Sequence, residues 1–343
     1  MNHATRRAGE GLRVAVVGAT GNAGTSVVEA LVRRSDVSSV LGLARRAPRW
    51  RPDKVTWVEA DVDPGGADLV PHFTGVDAVV HLAWKFQPTH DPVTTWRTNV
   101  LGSIRVFEAA AAAGVPALVH ASSVGAYSPG PKTSRVDETW PTHGWPQAAY
   151  CREKAYLERF LDAYEQRHRE MRVVRMRPGF LFKQESASQQ RRIFAGRFLP
   201  AQLVRPSLLP AVPDLPGLTF QALHTDDAAA AYVAAVVRPV KGPFNLAADP
   251  PIDAAELAGI LEARTLKVPV PPVRAALSAA WRLRLVPASP DLFDAVLRLP
   301  LMDTSRARGD LGWLPAHTSV AAIREFLDGL RSHAGMDTAP LAA

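Results

Sequence analysis

Residues Val14-Ala15-Val16-Val17-Gly18-Ala19-Thr20-Gly21-Asn22-Ala23-Gly24 constrain the fold more than any other stretch. An apolar, β-branched run leads straight into three glycines spaced by three, and an amphipathic segment, residues 25–34, follows at once. The pattern predicts a buried strand, a turn without side chains, and a helix whose N-terminus faces the turn. Gly18 permits the turn, Gly21 lets an anion reach the backbone, and Gly24 lets the helix lie close to the strand. Free N–H groups and the positive helix end suit a pyrophosphate, so dinucleotide binding is the predicted use, with an ordinary structural turn as the competing reading. Gly18, Thr20, Gly21, Asn22, Ala23 and Gly24 are the candidate contacts.

Composition narrows the setting. The 343 residues suffice for one large α/β domain or a core with a smaller lobe. A single cysteine, Cys151, excludes an internal disulfide and a cysteine-based zinc site, and suits a reducing cytoplasm; no metal is expected. Residues 1–11 are polar, with Arg6 and Arg7 and no apolar run behind them, so neither a signal peptide nor a membrane span is expected. The net charge of +7 is scattered in small clusters such as Arg6-Arg7, Arg45-Arg46 and Arg191-Arg192. That distribution favours anionic small ligands over nucleic acid. Prolines crowd residues 200–216 and 269–272, marking an irregular second half.

Strand and helix patterns alternate through the first half. Residues 40–44, 55–59, 78–84, 117–121 and 172–176 read as strands, and the first ends in Arg45-Arg46. In a dinucleotide fold, an acidic residue there would bind the adenosine ribose, whereas arginine pairs with a 2′-phosphate. NADP is therefore preferred to NAD, with Arg45 first and Arg46 second; two solvated arginines are the plain alternative. Residues 98–113 form a predicted long helix that stops at Gly114 and Pro116. The strand 117–121 delivers Ser122-Ser123-Val124-Gly125-Ala126-Tyr127, and a helix to about Gln166 carries Tyr150-Cys151-Arg152-Glu153-Lys154. Tyr-x-x-x-Lys places both side chains on one helical face.

The glycine turn, the serine pair after a fifth strand and the Tyr-x-x-x-Lys spacing, in this order, resemble the extended branch of the short-chain dehydrogenase/reductase superfamily, the NAD(P)-dependent epimerase/dehydratase group. The resemblance spans about residues 13–330. It implies a Rossmann α/β fold, a doubly wound parallel sheet over 12–178 and 224–242. A smaller substrate lobe comes from 179–223 and 243–330, with tails at 1–11 and 332–343 expected to fray. It implies that Tyr150 is the acid/base, that Lys154 tunes it and holds the nicotinamide ribose, and that Ser123, standing four residues before Tyr127, orients the substrate; Ser122 stays an alternative. The chemistry asks for these types. An alkoxide formed by hydride transfer needs a proton, and a neighbouring ammonium brings a phenol with an ordinary pKa near 10 toward that task.

Other positions follow from the resemblance. Asp61 and Val62 border the adenine, or Asp61 makes a turn. Leu82 and Ala83 pass the middle of the cofactor, while His81 is read as a packed histidine. Asn99 supports the active site or is an ordinary helix residue, and Pro178-Gly179 lies against the nicotinamide. Trp84, Phe180 and Arg191, with Ser123 and Tyr150, are candidate substrate contacts. Phe180-Leu181-Phe182-Lys183 stands where sugar-nucleotide enzymes of the group carry a segment like Asn-Val-Tyr-Gly, which argues against a nucleotide-sugar substrate unless these phenylalanines are core. His224-Thr225-Asp226-Asp227 reads as architectural, and the absence of a G-x-S-x-G elbow argues against a hydrolase. Asp303 to Ala307 with Leu311-Gly312-Trp313 resembles the group's closing segment.

Three functions remain open: an NADP-dependent oxidoreductase on a carbonyl or secondary alcohol, an epimerase or dehydratase holding NAD tightly, and a dinucleotide-sensing or RNA-associated protein without catalysis. A homodimer through the helices around residues 99–113 and 150–166 is implied as well.

Overall fold

A computed structural model describes residues 11–195 and 211–342. Seven strands form one parallel sheet: β1 (Leu12–Val17), β2 (Val37–Ala44), β3 (Val55–Glu59), β4 (Ala78–His81), β5 (Ala117–Ala121), β6 (Arg172–Pro178) and β7 (Gly242–Leu246). Their spatial order is β7-β6-β5-β4-β1-β2-β3, and every neighbouring pair is parallel. This is the doubly wound α/β architecture. The direction of winding reverses between β1 and β4, leaving a crevice at their C-terminal ends.

Both faces of the sheet are covered, so the central strands read as continuous apolar runs. Val14 and Val16 point to one face, where α1 (Asn22–Val32) and α4 (Thr225–Val237) contribute Val27, Val28, Leu31, Ala228 and Tyr232. Ala15 and Val17 point to the other, against α2 (Gly102–Ala112) and α3 (Ala149–Arg167) through Val106, Phe107, Leu157 and Leu161. The Tyr164 hydroxyl donates to the Phe107 carbonyl at 2.6 Å, joining those two helices.

The smaller lobe is built from two-stranded pieces. Residues 180–182 pair with 222–224, 211–214 with 264–267, and 135–136 with 301–302. Helix α5 (Ser319–Ser332) packs Ile323 and Leu327 against Ala222 and Ile252. The strand at 264–267 and the helix Pro290–Val296 were not apparent in the sequence.

Several boundaries differ from expectation. Helix α1 starts at Asn22, not Thr25, because the Gly21 amide donates to Gly18 and the Thr25 amide to Gly21. β4 ends at His81, and Leu82 to Trp84 leave the sheet as a loop. The stretch expected to be irregular from residue 184 begins with short helical turns to 195; residues 196–210 lie outside the described residues, as do 1–10. Residues 333–342, expected to fray, are held. Leu341 is fully buried, the Asp337 carbonyl accepts from the amides of Arg49 and Trp50, and Arg192 donates to the carbonyls of Pro340 and Ala342.

A Cβ on Gly24 would stand 2.2 Å from the Gly18 carbonyl oxygen. Gly24→Ala is therefore expected to lower stability by about 1–3 kcal/mol in urea unfolding, the usual range for overpacking. An unchanged midpoint would contradict the close packing of α1 on the turn.

Candidate active site

The glycine turn divides its three glycines by role. Gly18 has φ +85°, and a Cβ there would meet the Ala83 amide nitrogen at 2.6 Å. Gly24 is fixed by its contact with Gly18. Gly21 has an ordinary φ of −81°, and a Cβ on it would find only the Gly18 oxygen at 3.6 Å. No contact among the described residues requires glycine at 21. Its bare backbone, at the N-terminus of α1, is the surface that a pyrophosphate would need, so these residues fit a dinucleotide.

The neighbouring candidates vary in how far they are committed elsewhere. Thr20 is buried, and Ala23 lies half-buried in the first turn of α1. The Asn22 side chain donates to the Leu181 carbonyl and accepts from the Thr225 hydroxyl, tying the turn to the smaller lobe. Arg45 and Arg46 are exposed directly after β2, and their side chains make no hydrogen bond or ion pair with any described residue. Asp61 accepts from the Asp63 amide at 3.0 Å in a turn, and Val62 is buried beneath Gly102. Leu82 donates its amide to Val17, which sets Ala83 over Gly18. Pro178 ends β6, and Gly179 is glycine for a local reason: a Cβ would meet the Gln221 carbonyl at 2.5 Å.

Helix α3 carries Tyr150 and Lys154 one turn apart, beside the end of β5. The Lys154 ammonium is buried, donates to the Ala121 carbonyl at 2.6 Å, and lies 3.4 Å from the centroid of the Trp84 ring. Burial lowers its pKa to about 7 against the opposing pull of Glu153 and Glu158. Burial raises the Tyr150 phenol above its ordinary value, while the Ser123 hydroxyl beside it acts the other way. Gly125 lacks the Cβ that would strike the Tyr150 ring at 2.7 Å, so the ring rests on the turn that Ser123 caps. Ser122 instead donates to Glu158 at 2.6 Å. It is thus Ser123, not Ser122, that adjoins the phenol.

Asn99 is buried in a π-helical turn, residues 97–101, ahead of α2. Its side chain accepts from the Lys85 amide at 2.7 Å and donates to the Lys85 carbonyl at 2.8 Å and to Glu153 at 2.7 Å. It therefore fixes the loop that carries Trp84 and Phe86. His81 is a packed, neutral histidine: its Nε2 is 2.8 Å from the Ser103 hydroxyl, and burial drives its pKa to about 3.

A cavity of about 270 Å³ opens beside Tyr150, walled by Trp84, Phe86, Phe194 and Trp281. Phe86 stacks on Tyr150 at 5.2 Å, and Phe194 meets Phe86 edge-on at 5.6 Å. Among the expected substrate contacts, Trp84 and Tyr150 line this space. Phe180 packs on Phe220 at 5.0 Å, Arg191 lies half-buried in the turn 191–195, and Ser123 caps the turn under the Tyr150 ring; none of the three lines it. Phe86, Phe194 and Trp281 carried no sequence signal of their own. Two other hollows, one near Arg238 and Arg306 and one near Trp140 and Arg159, lie away from the Tyr150 cavity. Among the described residues no group of His, Cys, Asp and Glu is arranged to hold a metal, and no helix is long and apolar enough to cross a membrane.

The sequence reading also missed a buried ion cluster behind the site. Glu158 is 1% exposed and receives both Arg177 (2.8 and 3.0 Å) and Arg175 (3.2 Å), as well as Ser122. Arg177 also donates to the Tyr127 hydroxyl, which donates to Asn245. Burial by itself would raise the Glu158 carboxyl; Arg177 and then Arg175 overcome it and hold it at about 2. Arginines two apart on one strand face were the available signal.

The chain belongs to the NAD dependent epimerase/dehydratase family, whose model matches residues 14–247. It is similar to L-arabinose 1-dehydrogenase (NAD(P)(+)) of Haloferax volcanii, 37% identical over 32% of this chain and 41% of that protein, so it spans less than half of that relative. It is similar along nearly its whole length to a 3-diazoavenalumate denitrifying reductase of a Streptomyces species, 31% identical over 90% of this chain and 97% of that one. Among solved structures, the UDP-glucose 4-epimerase of Thermus thermophilus in complex with NAD shares the fold, with a TM-score of 0.67 and 21% identity over 93% of this chain and 99% of that one.

Because the folded Glu158 pKa lies below its ordinary 4.5, its contribution to stability is present above about pH 4.5 and fades as pH falls toward 2. Glu158→Gln, which leaves the buried Arg177 without a carboxylate while Arg175 keeps Asp162 and Glu165, is expected to cost about 3–5 kcal/mol at pH 7 and to flatten that acid-side decline. Urea unfolding across this pH range tests it, and an unchanged acid limb would count against the cluster.

Proposed function

We propose that the protein is an NADP-dependent oxidoreductase acting between a carbonyl and a secondary alcohol. The observation that carries this reading is the Ser123 hydroxyl beside the Tyr150 phenol at the end of β5, with the Lys154 ammonium 6.0 Å from the centroid of the Tyr150 ring, next to an aromatic cavity. The nicotinamide, when bound, supplies or accepts the hydride. The backbone at Gly21 receives the pyrophosphate, and Arg45, then Arg46, takes the 2′-phosphate.

In the reductive direction the Tyr150 hydroxyl gives its proton to the oxygen of the forming alkoxide, and the Ser123 hydroxyl donates to the same oxygen and orients it. Lys154 stabilises the resulting phenolate electrostatically. With the phenol raised above its ordinary pKa, Tyr150 rests protonated at neutral pH, which suits it to donate. Asn99 acts as a positioning residue, through the loop it clamps.

The near full-length similarity to a protein named as a denitrifying reductase supports the oxidoreductase part of this reading; the carbonyl is inferred from Tyr150 and Ser123. The alternative is an epimerase or dehydratase retaining NAD, which the fold shared with a UDP-glucose epimerase favours. The exposed arginines after β2 and the aromatic lining of the cavity oppose it. A protein that kept the fold and lost the reaction would have little need for the intact Tyr150–Lys154–Ser123 group.

Titration with NADPH and NADH distinguishes these readings. Arg45→Ala is expected to weaken NADPH by about tenfold, roughly 1.4 kcal/mol, and to leave NADH unchanged. Gly21→Ala is expected to weaken both cofactors without lowering the melting temperature. Tyr150→Phe should keep NADPH binding and lose turnover in a carbonyl screen. NADH bound as tightly as NADPH, or NAD retained through purification, would move the epimerase forward.

We also propose a homodimer through α2 and α3, beside which Leu101 and Tyr156 are 43% and 44% exposed. Sedimentation should show a dimer at micromolar concentration, and a monomer there would count against it.

A further inference from the structure

The cavity beside Tyr150 specifies more than a carbonyl. Its walls are flat and held in place. Trp281 donates its indole N–H to the Thr89 hydroxyl at 2.9 Å and stacks on His90 at 4.0 Å, with the rings 9° from parallel. Thr89 in turn donates to the Pro287 carbonyl at 2.6 Å, and Gln87 donates to the Ile193 carbonyl at 2.7 Å. Phe86 is fixed between Tyr150 and Phe194. Rings held this way cost a ligand little ordering and present faces and edges to a planar π system.

The charges lining the cavity are unequal in what they have left to give. Glu153 has both oxygens occupied, by the Thr95 hydroxyl at 2.6 Å and by Asn99 at 2.7 Å. Asp291 faces Arg274 at 3.4 Å. By contrast, the Lys85 side chain makes no hydrogen bond or ion pair with any described residue, though its backbone is clamped on both sides by Asn99. Arg152 gives one N–H to the Pro146 carbonyl and meets no carboxylate of the described residues within ion-pair distance. Lys85 acts at longer range on Asp63 and Asp91, and Arg152 on Glu153, but neither cation has a carboxylate of the described residues within ion-pair distance, so the hydrogen-bonding capacity left at the cavity is that of cations. As the described residues bound it, the space of about 270 Å³ lies at the small end for ligand pockets.

We infer that the cavity binds a planar aromatic carboxylic acid of one or two rings. Its ring lies among Phe86, Phe194 and Trp281, and its carboxylate meets Lys85 and Arg152. This rests on the oxidoreductase reading for the claim that such an acid, or its carbonyl-bearing relative, is the substrate; the binding itself does not.

Calorimetric titration of the cofactor-free protein with 4-hydroxycinnamate, its methyl ester and UDP-glucose tests the inference. The acid is expected to bind about tenfold more tightly than the ester, the difference being the charge-assisted contacts. Lys85→Met and Arg152→Met should each weaken the acid several-fold and leave the ester unchanged. Trp281→Ala, with folding checked by its melting curve, should weaken both. Acid and ester of equal affinity, no binding of either, or displacement of the acid by UDP-glucose would overturn the inference; the acid-to-ester comparison needs no variant. NADPH-dependent reduction of an uncharged aldehyde by a protein that ignores 4-hydroxycinnamate would sink this inference and spare the oxidoreductase reading. Tight binding of the acid by a protein that turns over no carbonyl would do the reverse.

Discussion

The site depends first on how closely α1 is allowed to approach β1. That approach is possible because Gly24 has no side chain to strike the Gly18 carbonyl and because Gly18 takes a φ that other residues resist. The same Gly18 leaves room for Ala83, so the loop after β4 passes directly over the turn. That loop then carries Trp84 and Phe86 to the ring of Tyr150. A tight turn at one end of the crevice thus sets where the aromatic wall stands at the other, and Asn99 secures the connection by gripping Lys85 on both its backbone groups.

A second constraint holds α3. Its inward carboxylate, Glu158, enters the interior only because Arg177 and Arg175 surround it, since a lone buried charge would be too costly. The contact fixes the helix against the end of β6, and with it the height of Lys154 and Tyr150 above the sheet. Around them the protein keeps ionisation scarce. His81 and His120 are stacked, buried and held neutral, and burial lowers the pKa of Lys154 to about 7. A lysine in that state responds readily to a new charge nearby, and a cationic nicotinamide or a phenolate would each shift it in a defined direction.

What was legible in the sequence was local. The glycine turn and the Tyr-x-x-x-Lys pair declare themselves by spacing, because both work within a single turn or helix. The strand pattern was readable for the same reason, and the parallel sheet follows from strands that are apolar on both faces. What was hidden depends on residues far apart in the chain. The cavity walls come from residues 84–86, 194 and 281, and no periodicity connects them. Phe180 looked available to a substrate because nothing in its neighbourhood announced Phe220. Arg175, Arg177 and Glu158 each read as ordinary charged positions until the fold brought them together. The spacing to Tyr127 favoured Ser123 and left Ser122 as an alternative, and the direction of each hydroxyl separates them. The C-terminal residues had a composition suited to fraying, yet Leu341 is buried and the segment closes over residues 49–50.

The central claim is that Tyr150, Lys154 and Ser123 serve a net hydride transfer to a carbonyl. The most direct measurement is to incubate the protein with NADPH deuterated at the transferring position of C4 and an aromatic aldehyde or ketone, and to analyse the product by mass spectrometry. The account expects one deuterium on the former carbonyl carbon and one equivalent of NADP formed, with both absent in Tyr150→Phe. Deuterium that stays with the cofactor while a sugar substrate is epimerised, or a protein that consumes no NADPH with any carbonyl offered, would contradict it.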